Sequence, residues 1–128
     1  MNLIPATITQ IDSVEPLHII KFSFGESTLS MMSLELPHSM AIDKKVNLTV
    51  NPSYIALAKG DCGVVSYSNQ IPATILSIET GKLLSSIKLQ AKETTLESII
   101  TTESAQRMEL EVGDEVKMLI KASELSMV

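Results

Sequence analysis

Apolar and polar side chains alternate along much of this chain, the period expected of strands with one buried face. Val116, Met118 and Ile120, for example, interleave with Lys117, Leu119 and Lys121. Segments rich in β-branched and large apolar residues run over Ile4 to Ile11, Leu17 to Phe24 and Val46 to Leu57. Others cover Ile71 to Ile78, Leu83 to Ala91 and Glu115 to Val128. Turn chemistry separates them at Asp12-Ser13 and Glu79-Thr80-Gly81, and again at Gly25-Glu26-Ser27 and Lys92-Glu93-Thr94. Helical pattern is confined to Thr102-Glu103-Ser104-Ala105-Gln106-Arg107-Met108, where Thr102 reads as a capping residue. Pro37 to Met40 offers one turn at most.

The segments form two sets because the chain repeats itself. Asn2-Leu3-Ile4-Pro5-Ala6-Thr7-Ile8 returns as Asn69-Gln70-Ile71-Pro72-Ala73-Thr74-Ile75, an offset of 67 positions from Asn2 to Asn69. Val46, Leu48, Val50 and Ser53 return as Val116, Met118, Ile120 and Ser123, now offset by 70. Such self-similarity implies a tandem of small modules, here 1–60 and 64–128, joined near Lys59-Gly60-Asp61-Cys62-Gly63. A module of about sixty residues is marginally stable alone, so the halves are expected to pack on each other, on another subunit, or on both. Short strands with one short helix per module point to an all-β pair of small OB-like barrels.

Composition narrows the function. Of 128 residues, 45% are hydrophobic but only 3% aromatic, with no Trp, so the core is aliphatic and platforms for stacking nucleic-acid bases are scarce. The net charge of −5 disfavours DNA, RNA and anionic membranes as partners. No apolar run reaches the roughly 20 residues of a membrane span, and no leader pattern stands at Met1 to Pro5. A single Cys62 excludes a disulfide framework and a cysteine-based zinc cage. A soluble cytoplasmic protein is expected. Catalysis is not: His18 and His38 lack recognisable partners, no phosphate-binding glycine loop exists, and the carboxylates are scattered. Met31-Met32, Met108, Met118 and Met127 read as core filler.

One constellation remains. Ile100-Thr101-Thr102-Glu103-Ser104 sets hydroxyls and free backbone N–H groups at a helix start, and Lys121-Ala122-Ser123 adds an ammonium, a hydroxyl and further backbone donors. Both suit an anion.

In order, Asn-x-(Ile/Leu)-Pro-Ala at Asn69, Ile-Thr-x-Glu-Ser at Ile100 to Ser104, Leu-x-Val-Gly at Leu110 to Gly113 and Ile-Lys-Ala-Ser at Ile120 to Ser123 resemble the molybdate-binding Mop/TOBE family. The resemblance covers residues 64–128 and is fainter over 1–60. It implies OB-like barrels that hold molybdate or tungstate at seams between modules, in a homo-oligomer, a trimer for a two-module chain. It also implies a non-enzymatic role in molybdenum storage, homeostasis or regulation of molybdate transport. The ligands it implies are Thr101, Ser104, Lys121, Ala122 and Ser123, with Ser66, Ser68 and Asn69 from the Ser66-Tyr67-Ser68-Asn69 segment. Family members often carry Arg where Ser68 stands, and loss of such a charged donor costs about 1.5–3 kcal/mol. In the first copy only Ser33, Glu35, Asn51 and Ser53 answer to these positions. The competing expectation is a regulatory subunit that contacts a molybdate transporter and has lost the anion.

Overall fold

The computed structural model describes residues 2–128. The first repeat opens with a hairpin of β1 (Asn2–Val14) and β2 (Leu17–Phe24), followed by β3 (Ser27–Ser33) and β4 (Lys45–Val50). A 3-10 turn at Pro52–Tyr54 leads into β5 (Ala56–Lys59). The second repeat matches it with β6 (Asn69–Thr80), β7 (Leu84–Ala91), β8 (Thr94–Thr101), helix α1 (Thr102–Arg107) and β9 (Glu115–Ile120). A 3-10 turn at Ala122–Glu124 and β10 (Ser126–Met127) complete it.

These strands make two five-stranded antiparallel sheets, ordered β10-β4-β1-β2-β3 and β5-β9-β6-β7-β8. The outermost strands are therefore exchanged. β5 of the first repeat pairs with β9 (Ala56 to Leu119, Lys59 to Val116), and β10 of the second pairs with β4 (Ser126 to Thr49, Met127 to Leu48). In each repeat the first strand bends at a register slip, between Ile8 and Gln10 in one and between Ile75 and Ser77 in the other. A slip of this kind sharpens twist and lets one strand serve two neighbours. β5 and β8, the two ends of the second sheet, pack against each other, so that sheet curls toward a closed OB-like barrel.

Period-two alternation sends Ile4, Ile8, Ile20, Phe22, Leu29 and Leu48 inward in one repeat. Ile71, Ile75, Ile87, Leu89, Leu96 and Met118 do the same in the other, and all belong to one buried cluster. Met31 and Met118 fill it as expected of methionine. Met127 packs against it, Met108 is half-buried, and Met32 is exposed.

The structure corrects the sequence reading in four places. β3 and β8 were not expected, because Met31-Met32 and the hydroxyl-rich Thr94–Thr101 run hide the alternation. The long strands expected over Val46 to Leu57 and Glu115 to Val128 are each broken by a 3-10 turn. At Pro52 the missing N–H ends the ladder. The helix expected in each module is present only in the second; the first has a single turn closed by Met40 N–H on Pro37 O (3.0 Å). Finally, Thr101 caps α1, accepting from Ser104 N–H (3.1 Å). Thr102 is inside the helix, its hydroxyl donating to Gly81 O and contacting that of Ser85.

Candidate functional site at the module seams

Exchange of the last strands carries the two 3-10 turns across the molecule. The Pro52–Tyr54 turn of the first repeat packs on β8 of the second, and the Ala122–Glu124 turn of the second packs on β3 of the first. Two seams result, each built from both repeats.

An asparagine closes each seam. Asn69 is fully buried, its carboxamide oxygen accepting from Ser30 N–H (2.7 Å) and its nitrogen donating to Ser30 O (3.0 Å). Asn2 does the same to Glu97, at 2.8 and 2.9 Å, and also donates to Val50 O. A carboxamide offers one donor and one acceptor in the spacing of a peptide group, so each asparagine stands in for a ladder rung on the edge of β3 or β8. The repeated Asn-x-(Leu/Ile)-Pro-Ala sequence had signalled this role without revealing it.

The candidate ligands fall in two groups. Asn69 is opposite Ile120 in the β6–β9 pair, so the next rung sets Ser68 beside Lys121. Ser66, Ser68, Lys121 and Ser123 are all exposed there, and Ala122 is half-buried. Asn69 joins them in position, but its carboxamide is committed to Ser30. This seam rests on the first repeat through a cleft of about 220 Å³, lined by Met31, Ser33, Glu35 and Leu125 among others. Thr101 and Ser104 lie instead where β8 runs into α1, Thr101 opposite Leu84 on β7. Their hydroxyls bond to each other at 2.9 Å, with Arg107 Nη2 near that of Ser104 at 3.4 Å.

The turns themselves are unlike. Asn51 Oδ1 accepts from both Ser53 N–H (2.9 Å) and Ser53 Oγ–H (2.8 Å), so the first turn is capped by its own side chain. Lys121 makes no such bond, leaving the backbone of the second turn open on the same side as an exposed ammonium. Ser98 Oγ donates to Ile55 O (2.7 Å) behind the first turn. Its counterpart is Met31, which cannot do so.

Lys59 on β5 reaches back to the second repeat, donating to Met108 O and Glu109 O and pairing with Asp114 at 3.0 Å. The N–H of Glu111 and this ammonium hold the Asp114 carboxyl below the usual carboxylate range. His18 is buried, with Nδ1 2.6 Å from Ser13 Oγ and Nε2 3.9 Å from the exposed Glu15 carboxylate. Among the described residues there is no group of three or more His, Cys, Asp or Glu fit to hold a metal, and no helix long and apolar enough to cross a membrane.

Residues 66–127 match the family model of the TOBE domain. The second repeat is a TOBE domain. The fold of the whole chain is that of the cytoplasmic molybdate-binding protein ModG, solved in a crystal form with molybdate bound. The two share 23% identity at a TM-score of 0.91 over 98% of this chain and 94% of that one. A molybdate-binding protein from Sporomusa ovata is 32% identical over 52% of this chain and 98% of its own, with a TM-score of 0.51. That relative corresponds in extent to one repeat of this tandem. Comparison with curated proteins gave no match.

Proposed function

We propose that this protein binds molybdate or tungstate as a non-enzymatic carrier in the cytoplasm, serving molybdenum storage, homeostasis or regulation of molybdate transport. The observation that carries this reading is the uncapped Lys121-Ala122-Ser123 turn next to the Ser68 end of β6, in a fold shared with molybdate-binding proteins. A tetrahedral dianion needs several donors around it and at least one positive charge, and this segment supplies backbone N–H groups, hydroxyls and one ammonium. The acidic surface does not prevent this, because bulk charge is screened within a Debye length of about 8 Å. Thr101 and Ser104, with the Arg107 guanidinium at hand, are the further donors in this reading. In a homo-oligomer, a trimer by our reading, surfaces of neighbouring copies would complete either set. Molybdate and tungstate have nearly the same size and charge, so weak discrimination between them follows.

Calorimetric titration with molybdate tests the reading. Saturable binding is expected, and Lys121→Ala should weaken it about 10–150-fold, the worth of a charged donor. Absence of heat and of thermal stabilisation at millimolar oxyanion would refute it. A second reading is favoured by Ser68 and Asn51, neutral residues where cations would serve an anion: a regulatory subunit that contacts a molybdate transporter without binding the ion. Co-purification with a transporter subunit, unaffected by molybdate, would select it.

A further inference from the structure

The Pro-Ala-Thr part of the repeated sequence takes no part in either seam. It lines a cleft on the outer face of each repeat, and the two clefts differ in charge. In the first repeat Thr7 is opposite Ser23 on β2 and opposite Lys45 on β4, with Asn47 opposite Pro5 one step along. These residues surround an open cleft of about 430 Å³, lined on the same face by the exposed Pro5. No carboxylate lines it. Among the described residues, the side chains of Thr7, Ser23, Lys45 and Asn47 make neither hydrogen bonds nor ion pairs within the protein. Gly25, at positive φ, completes the rim, and the Lys92 side chain, which lines the cleft of the other repeat, lies against it.

The second repeat acts as an internal control. There Thr74 faces Gln90 and Glu115, so a carboxylate stands where the first repeat has Lys45. Gln90 is already engaged, donating to Lys92 O and accepting from Thr95 Oγ–H. The same scaffold thus holds one cleft lined by Lys45 and no carboxylate, and one lined by both Lys92 and Glu115, where an ammonium and a carboxylate offset each other.

We infer that the Thr7–Ser23–Lys45–Asn47 cleft is a binding site for a small organic phosphate, a phosphate monoester on a compact apolar body. Two hydroxyls, a carboxamide N–H and an ammonium match the several oxygens and negative charge of a phosphoryl group better than a carboxylate. Pro5, exposed on the same face of the sheet, in a cleft far roomier than a bare ion requires, supplies an apolar surface for the organic part. This site is separate from the seams and does not depend on molybdate binding.

The test uses the full chain with phenyl phosphate as probe, followed by calorimetry or by NMR shifts of residues 5–7 and 45–47. Saturable binding is expected, with inorganic phosphate weaker. Lys45→Glu, which copies the charge of the other cleft, should weaken phenyl phosphate about ten-fold or more, and Thr7→Val by a few-fold. Lys121→Ala should leave phenyl phosphate unaffected, and Lys45→Glu should leave molybdate unaffected. No saturable phenyl phosphate binding at tens of millimolar would overturn the inference, as would Lys45→Glu without effect or displacement of the probe by molybdate. Loss of molybdate binding alone bears only on the seam.

Discussion

The two repeats use one scaffold, yet they differ at several positions where their side chains meet solvent at a seam or cleft. Positions that build the sheets have kept their chemistry: Asn2 and Asn69 make the same paired bonds, and Ile4, Ile8, Ile71 and Ile75 point inward alike. Positions on the turns have not. Asn51 caps its own turn while Lys121 leaves the equivalent turn open; Ser98 braces Ile55 while Met31 gives Leu125 only packing. Helix α1 covers one repeat and is missing from the other. The contrast teaches which parts of the unit are architecture and which are free to acquire chemistry.

The most drastic way to break the comparison is to separate the repeats. Residues 64–128 alone would leave the β9 edge without β5 and their own β10 without β4. We expect such a fragment to be a dimer, each copy donating its last strand, or to be insoluble; sedimentation of a folded monomer would contradict the exchange. Next in size, Asn69→Ala strips both partners from a Ser30 peptide edge and should destabilise the chain by about 2–4 kcal/mol in urea. Asn2→Ala should cost a similar amount if the two clips are equivalent, and a clear inequality would show that one seam is the tighter.

Ser98→Ala leaves the Ile55 carbonyl without a donor and should cost about 1–3 kcal/mol. Its counterpart Met31→Leu is a volume-conserving change and should cost less than about 1.5 kcal/mol. The smallest effect concerns Asp114. Because its folded pKa lies below the ordinary carboxylate value, its contribution is fully present above that value and is lost as pH falls through the depressed one. Asp114→Asn should therefore flatten the acid limb of the stability curve below about pH 4 and change little at neutrality.

Much of this was legible in the residues. Repetition and period-two patterning gave the all-β tandem, and the ordered motifs around Ile100, Leu110 and Ile120 gave the family resemblance. What sequence could not carry was the partner of each segment. Ser66 to Asn69, Thr101, Ser104 and Lys121 to Ser123 all lie in one repeat, and nothing local reveals that the turn at Lys121 packs on the other repeat. Strand exchange is a non-local choice: β5 reads the same whether it pairs with β4 or β9. Asn69 shows the same limit in miniature, since nothing local reveals that its carboxamide is bonded to Ser30. β3 was missed because Met31-Met32 breaks the alternation, although Met31 is inward and Met32 outward as a strand requires.

Reciprocal lending of β5 and β10 also governs how the molecule comes apart. Neither half can melt without stripping an edge strand from the other, and the Lys59 tether on Asp114 adds to that dependence. Heating should thus give a single transition, with amide protons in both halves exchanging at the same slow limit, although the sequence is written as two units.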